Sequence, residues 1–262
     1  MHPDIAYAIQ RLSDIEAVHG YDPFGFRPDV LRSIMPSVHF LYRRWFRVEV
    51  TDIDRIPDGR VLLIANHSGQ LPFDGMMIGC ALLLEVDPPR MVRSMVERFV
   101  PTVPFVSVLF ARLGQVVGTR ANARALLHRD NAVLVFPEGA RGISKTFGKR
   151  YQLEEFGLGF MRLALQTDTP IVPIGVVGAE EQLPSFYNAR TLARAIGAPA
   201  LPIVPTPLPL PVKYRIYFGE PMRFSGNPDD EDRIVRSKVD EVTSAIDDLI
   251  ARGLRERRGV FH

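Results

Sequence analysis

The sequence predicts an α/β fold, a single domain in which helices flank a central and mostly parallel sheet. Three short apolar runs carry this prediction, because each has the length and the composition of a buried strand: Val61–Ala65, Ala132–Phe136 and Ile171–Val177. Segments with the apolar spacing of a helix lie between and around these runs. Alternating strand and helix patterns are typical of parallel sheets, because parallel neighbours need a crossover connection.

Composition sets the limits of the interpretation. The chain has 262 residues, of which 46% are hydrophobic, so it can bury a full core. A formal net charge of +2 is too small to indicate nucleic acid, and no nucleic-acid partner is predicted. The single cysteine, Cys80, excludes an intrachain disulfide and lies in an apolar run, which predicts a buried thiol. The N-terminus lacks the pattern of a signal peptide, and no apolar run is long enough for a transmembrane helix.

Residues 1–55 are predicted to form an N-terminal helical segment that precedes the main unit, residues 56–262. Apolar residues at steps of three and four predict an amphipathic helix over Asp4–Val18. Val30–Phe46 mixes aromatic and aliphatic residues with arginines. This mixture suits a helix that lies at a lipid headgroup layer, and equally a core helix whose arginines extend to the solvent. Arg47–Ile53 alternates as a strand.

The middle of the chain continues the strand and helix pattern. The predicted elements are a helix over Gly75–Glu85, a strand over Arg90–Val96 and a helix over Arg120–Leu127. Phe99–Leu113 is the most apolar segment, and its two prolines exclude a regular helix through its first half. We interpret it as a buried core segment, with an acyl-chain pocket and a membrane contact as the alternatives.

The last third of the chain holds a proline-rich run and a long helix. Glu154–Thr167 is predicted as a helix, and Ala198–Pro211 as an extended, exposed segment that is not a central strand. Lys213–Phe218 alternates as a strand. A terminal helix is predicted to start near Pro228 and to pack along the sheet through an apolar stripe, namely Val235, Val239, Val242, Ile246 and Leu249.

A first candidate site follows the Val61–Ala65 strand. His67 lies in the turn after this strand, and Asp74 opens the next helix. Ligands in open α/β sheets bind beyond the strand ends, so the pair indicates an imidazole that is oriented by a carboxylate. The alternative is that both side chains cap neighbouring backbone groups.

A second candidate site is the loop FPEGARG, which follows the Ala132–Phe136 strand. Its glycines let backbone amides approach a ligand, and Glu138 stands between a proline and Gly139. Four cations lie in the same loop region, namely Arg141, Lys145, Lys149 and Arg150. The loop is either a phosphate-type anion site or a solvated charged loop. The spacing of its glycines and lysines does not fit a P-loop, which excludes a nucleotide triphosphatase.

Four motifs taken together resemble those of the glycerophospholipid acyltransferase family. They are Asn66-His67 with Asp74, Gly114 followed by Arg120, FPEGARG at Phe136–Gly142, and IVPIGVV at Ile171–Val177. Their order along the chain matches that of the family. Six residues separate His67 from Asp74, more than the family pattern usually has, and the inserted SGQLPF is similar to a divergent bacterial branch.

The resemblance implies an enzyme that moves a fatty acyl group from acyl-CoA or acyl carrier protein to a hydroxyl of a lysophospholipid or a glycerol-phosphate-like acceptor. It implies His67 as the general base and Asp74 as the group that holds its tautomer. The substrate-binding residues that it implies are Gly114, Arg120, Glu138, Gly139, Arg141 and Lys145. Apart from the thioester co-substrate, no cofactor and no metal are expected.

A lipid product requires contact with a membrane surface. We expect peripheral attachment on the cytoplasmic face through Val30–Phe46, helped by Phe99–Phe110 or the proline-rich segment. Other functions stay open at this point. They are acyl transfer to a neutral or sugar-linked lipid hydroxyl, a thioesterase that activates water with the same His67 and Asp74, and a lipid-binding protein without catalysis.

Overall fold

The computed structural model describes residues 3–16, 21–67, 71–139, 142, 145–185, 187–188, 202–203, 206 and 208–262. The strands in this part of the chain are β1 (Glu49–Thr51), β2 (Val61–Ala65), β3 (Val92–Val96), β4 (Val116–Val117), β5 (Ala132–Val135), β6 (Ile171–Val177), β7 (Tyr187–Asn188), β8 (Pro202–Ile203) and β9 (Arg215–Phe218). Seven of them form one sheet, while β7 and β8 form a separate antiparallel pair.

The main sheet has the order β1-β9-β6-β2-β5-β3-β4. Strands β2 to β6 are all parallel, whereas β9 runs antiparallel to β6 and carries β1 parallel to itself. β2 is central, and Leu63 lies opposite Leu134 of β5 and Val172 of β6. The carboxyl ends of five strands therefore meet at one edge of the sheet. The predicted α/β class with a mostly parallel sheet is confirmed.

Helices cover both faces of this sheet. They are α1 (Pro3–Glu16), α2 (Pro28–Phe40), α3 (Phe73–Leu84), α4 (Val106–Arg112), α5 (Arg120–Leu127), α6 (Gly159–Thr167) and α7 (Asp232–Glu256). β2 shows why its sequence is an unbroken apolar run: Leu63 points into the core beneath α1, α2 and α3, and Leu62 into the core beneath α5, α6 and α7. Within the described residues, every helix is too short or too polar to cross a membrane.

The apolar stripe of α2 faces the protein core. α2 is followed directly by a π-helical turn, Leu41–Trp45, so the segment that was predicted as one helix is continuous. Its residues Leu31, Met35, Tyr42 and Phe46 are buried in the core beneath α3. Of the two interpretations of this segment, the structure shows the core helix. Phe40 is the exception, since it is 54% exposed.

The prediction that Phe99–Leu113 is a buried core segment is wrong. The segment forms a 3₁₀ turn, Val100–Thr102, and then the short helix α4, and none of its side chains is buried. Phe105 directly precedes α4 and is 89% exposed. As expected, the first half of the segment, which holds both prolines, forms no regular α-helix. Apolar composition alone, however, does not tell a buried segment from an apolar surface.

The predicted packing of the terminal helix along the sheet is confirmed. α7 begins at Asp232, four residues after Pro228, and lies on β6 and β9. Its buried stripe ends at Ile250 and not at the predicted Leu249. Half of the proline-rich segment, 7 of its 14 residues, lies outside the described residues, but β8 belongs to it and pairs with β7, apart from the main sheet.

A buried arginine fastens the segment before α2 to the sheet. Arg93 of β3 is fully buried, and its guanidinium lies 5.6 Å from the ring centres of Phe24 and Phe26. Its Nη2 is 2.5 Å from a carboxylate oxygen of Asp22, so the two groups form an ion pair. The alignment of the pair is not that of a hydrogen bond, and the guanidinium donates no hydrogen bond to any of the described residues. The contact joins residues 22–26 to the strand that borders β5 in the sheet.

Candidate active site

Asn66 fixes the point at which β2 ends. Its side-chain nitrogen donates to the carbonyl of Val176 at 3.1 Å, and its Oδ1 accepts from the amide of the same residue at 2.8 Å. The fully buried side chain therefore continues the ladder between β2 and β6 by one position. His67, the next residue, leaves the sheet at a defined place on the carboxyl edge of the strands.

The structure brings His67 and Asp74 together. Asp74 lies in the first turn of α3 and is fully buried, and its Oδ2 is 2.7 Å from Nδ1 of His67. Its Oδ1 accepts from the amide of Gly75 at 2.7 Å. Because an ionised carboxylate only accepts hydrogen bonds, Nδ1 carries the proton of the neutral ring. Nε2 then holds a free lone pair, which is the form a general base needs.

Opposing effects act on the pKa of His67. Burial disfavours the charged ring, but the charge and hydrogen bond of Asp74, with the charge of Glu138, outweigh burial and the repulsion from Lys145. The pKa of His67 is therefore raised above its ordinary value. The ring stacks on Phe136 with the ring centres 4.2 Å apart, and 15% of the His67 side chain stays exposed.

Glu138 touches the backbone of His67. Its Oε1 accepts from the amide of His67 at 2.8 Å, and its Oε2 accepts from Lys145 Nζ at 3.0 Å and from the amide of Glu154 at 2.9 Å. Both Glu138 and Lys145 are buried. The polar atoms of these two residues point toward each other and toward the backbone of His67. Their predicted role in binding the acceptor stays a prediction.

The glycines of the second candidate site permit close contact. A Cβ added at Gly142 would lie 3.0 Å from the Cβ atoms of both His67 and Glu138, so any larger residue would require these neighbours to move. Gly139 has a φ of +56°, a conformation that glycine adopts without strain. Gly114, with a φ of +84°, makes the buried turn between α4 and β4. The predicted part of Gly114 in substrate binding stays a prediction.

The predicted cations lie at different places. Arg120 begins α5 just after β4, at the same edge as His67 but three strands away, or about 14 Å at about 4.8 Å per strand. Its side chain is exposed, and no ion pair to it is found within the described residues. Arg141 lies outside the described residues. Among the residues that are described, no cluster of His, Cys, Asp and Glu has the arrangement of a metal site.

Sequence reasoning missed Glu180. It follows the end of β6, and its Oε1 lies 3.1 Å from Lys145 Nζ, so it belongs to the group of charges around Glu138. The signal was available, because two glutamates within four residues of the end of a buried strand form the same kind of polar strand end that singled out His67.

The fold and the site together define a class of protein. A parallel α/β sheet presents a partly exposed histidine on a buried aspartate, together with a glycine-containing loop, at the carboxyl edge of its strands. Enzymes that act with an imidazole on a ligand beyond the sheet have this arrangement. The sequence profile of the Acyltransferase family matches residues 47–177. The chain belongs to this family, and the resemblance seen in the motifs is confirmed.

Individual relatives agree with this assignment. An uncharacterized protein of Mycobacterium tuberculosis is 37% identical over 257 residues, which cover 93% of this chain and 72% of that protein. A probable 1-acyl-sn-glycerol-3-phosphate acyltransferase of Mycoplasma pneumoniae is 26% identical over 66% of each chain. The crystal structure of the acyltransferase PlsC from Thermotoga maritima superposes with a TM-score of 0.54 at 18% identity, covering 88% of this chain and 83% of that one, and shows the same fold.

Proposed function

We propose that this protein transfers a fatty acyl group from a thioester donor to a hydroxyl of a glycerolipid acceptor, with His67 as the general base. The observation that carries the proposal is the 2.7 Å contact between Nδ1 of His67 and the fully buried carboxylate of Asp74 at the carboxyl edge of the sheet. Membership of the Acyltransferase family supports the reaction class.

The chemical step needs one base and two bound substrates. Nε2 of His67 takes the proton of the acceptor hydroxyl as the hydroxyl oxygen attacks the thioester carbonyl carbon. The carbon–sulfur bond then breaks, and the leaving thiolate takes the proton from the imidazolium. The carboxylate of Asp74 stabilises that imidazolium while it exists. No covalent bond to the enzyme forms, because the acceptor itself is the nucleophile.

The acceptor carries an anionic group in this proposal. Arg120 supports it, because an exposed arginine at the catalytic edge can form paired hydrogen bonds with a phosphate. The name of the Mycoplasma relative, a 1-acyl-sn-glycerol-3-phosphate acyltransferase, points to the same acceptor class. A lysophospholipid or a glycerol-phosphate-like molecule is therefore the acceptor, and acyl-CoA or acyl carrier protein is the donor.

Membrane contact belongs to the same proposal, because both the acceptor and the product are lipids. The bilayer contact is placed on the apolar segment of residues 99–113 and not on α2, since the stripe of α2 packs in the core. Two features support this placement. The exposed Arg98 precedes the segment and the exposed Arg112 lies near its end. A Cβ added at Gly139 would lie 3.1 Å from a carboxylate oxygen of Glu97, so the segment starts beside the loop at the catalytic edge.

The test follows thiol release from a panel of acyl-CoAs by purified protein in detergent, with lysophosphatidic acid, with monoacylglycerol or with no acceptor. His67→Ala is expected to lower acceptor-dependent release by about a hundredfold to ten-thousandfold, the usual contribution of a general base. His128→Ala is the matched control, because His128 is exposed and lies at the end of α5.

Three results would count against the proposal. Full activity in His67→Ala would remove His67 from the mechanism. Release without any acceptor would indicate a thioesterase. Transfer to monoacylglycerol but not to lysophosphatidic acid would keep the acyl transfer and replace the acceptor class.

A further inference from the structure

A buried group of charges lies behind the His67–Asp74 pair. Nζ of Lys145 donates to Oε2 of Glu138 at 3.0 Å, to Oε1 of Glu180 at 3.1 Å and to the carbonyl of Gln152 at 3.1 Å. An ammonium has three donors, and all three are used. The side chains of Lys145 and Glu180 are only 5% and 6% exposed. Lys145 therefore has no donor left for a substrate phosphate.

Glu180 is held as firmly as Lys145. Its second oxygen, Oε2, accepts from the amide of Tyr151 at 2.7 Å. Burial raises the pKa of Glu180 more than the neighbouring Lys145 lowers it. Burial lowers the pKa of Lys145, but the charges and hydrogen bonds of Glu180 and Glu138 together outweigh it, so this pKa is raised above its ordinary value. The ammonium is therefore charged at neutral pH and supplies the countercharge that the buried Glu138 requires.

We infer that Glu180 and Lys145 are positioning residues, which hold the carboxylate of Glu138 on the backbone amide of His67 and so fix the catalytic ring in place. The inference rests on the proposed function. A path of hydrogen bonds supports it, running from Glu180 to Lys145, to Glu138 and to the His67 amide, with every distance between 2.8 and 3.1 Å. β2 and β6 are neighbours in the sheet, and the turn after β6 thereby helps to hold the turn after β2 in position.

Glu180→Gln tests the path with little change of shape. In Glu180 the two donors contact different oxygens, Oε1 and Oε2, and a glutamine in the same pose replaces one of these oxygens by an NH2 group that cannot accept. Lys145 loses the negative charge of its partner in either pose, and it also loses this hydrogen bond when the NH2 group faces it. Glu138 loses part of the support that orients it, while the surface that meets the acceptor keeps all of its groups.

Glu181→Gln is the matched control. Glu181 is the neighbouring residue, is 5% exposed, and forms an ion pair with Arg257 at 2.7 Å. The control makes the same chemical change at a similar depth, but the side chain of Glu181 pairs with Arg257 and Arg150 and contacts Tyr151, and neither Lys145 nor Glu138 is among its described contacts. Any loss that comes only from disturbing this turn appears in both variants.

The kinetic readout separates positioning from binding. For Glu180→Gln we expect kcat to fall by about tenfold to a hundredfold, as small misplacements of a reacting group do, with the KM values of donor and acceptor changed less than about twofold. Glu181→Gln is expected to keep kcat within about twofold of the unmodified protein. Equal losses of kcat in the two variants, or a loss confined to KM, would overturn the inference.

A spectroscopic readout does not depend on activity. Protein labelled with ¹⁵N at its six histidines gives amide signals among which His67 is identified by its loss in His67→Ala. The charge-assisted hydrogen bond to Glu138 moves the His67 amide proton downfield, so Glu180→Gln should move this signal upfield and speed its exchange with solvent. Glu181→Gln should leave it in place. An unmoved signal in Glu180→Gln would overturn the inference.

The two readouts also separate this inference from the proposed function. If the unmodified protein transfers no acyl group but the amide signal moves as expected, the proposed function fails and the path of hydrogen bonds stands. If transfer is active and neither kcat nor the signal responds to Glu180→Gln, the proposed function stands and the positioning role is wrong.

Discussion

At the scale of single residues, the His67–Asp74 contact predicts the pH dependence of the reaction. Asp74 and Glu138 together raise the pKa of His67 against burial and the charge of Lys145. A protonated ring cannot act as a base, so kcat/KM should fall as the pH drops through the raised pKa of His67. Removing the charge of Asp74 removes the largest favourable effect on the imidazolium.

Asp74→Asn should therefore shift the acid limb of the kcat/KM profile to lower pH. The maximal rate should also fall, by roughly a hundredfold to ten-thousandfold, because the tautomer and the developing imidazolium lose their partner. The profile is measured from about pH 5 to 9 on both proteins with saturating donor. An acid limb that stays in place, or moves to higher pH, would show that another group controls it.

The residues of this site differ in how far sequence can find them. His67 and Asp74 are close along the chain and flank a strand end, so their proximity follows from local structure. The bond between Glu138 and the His67 amide joins residues 71 positions apart, and it exists only because β5 is the neighbour of β2. A sequence pattern locates the ends of strands, but the order of strands decides which ends meet.

At the scale of elements, the crossing of α7 over β6 depends on glycines. A Cβ added at Gly175 would lie 2.6 Å from the Cβ of Leu249, and one at Gly253 would lie 2.8 Å from a methyl group of Val177. The helix therefore lies closer to the sheet than any side chain at these points would permit. The apolar stripe predicts which face of α7 is buried, but the depth of packing depends on these two absent side chains.

Gly175→Ala should destabilise the protein by about 1–3 kcal/mol, the usual effect of overpacking a core. Gly79→Ala in α3 is the control, because an added Cβ meets nothing within 4 Å there, and alanine favours the helix by roughly 0.5–1 kcal/mol. Thermal unfolding is measured for both variants, and the melting temperature should change by about 2–4 °C for each kcal/mol of stability. Equal melting temperatures in the Gly175→Ala and Gly79→Ala variants would show that α7 can move away from the sheet at little cost in free energy.

At the scale of the whole molecule, the sequence predicts the class of fold better than it predicts which segments lie at the surface. Unbroken apolar runs locate β2 and β6 at the centre, because a strand that is buried on both faces needs apolar residues throughout. The same reasoning predicts that residues 99–113 are buried, whereas the structure places them at the surface. An apolar segment can be buried in the core or exposed at the surface, and only the folded arrangement separates the two cases.

The proposed membrane contact gives the last prediction. Phe105 is 89% exposed at the start of α4, and burying a phenylalanine in lipid contributes about 1.5–3 kcal/mol. Phe105→Ser should therefore weaken binding to vesicles that contain phosphatidylglycerol by about tenfold or more. Flotation of the protein with the vesicles, over a range of phosphatidylglycerol content, measures this.

Phe40→Ser is the matched control, because Phe40 is 54% exposed on α2, the segment that sequence indicated for membrane docking. If binding depends on residues 99–113, this variant keeps most of its affinity. A larger loss in Phe40→Ser than in Phe105→Ser would return the contact to α2. No flotation of the unmodified protein at any phosphatidylglycerol content would remove the bilayer from the proposal, and the lipid acceptor would then have to reach His67 from solution.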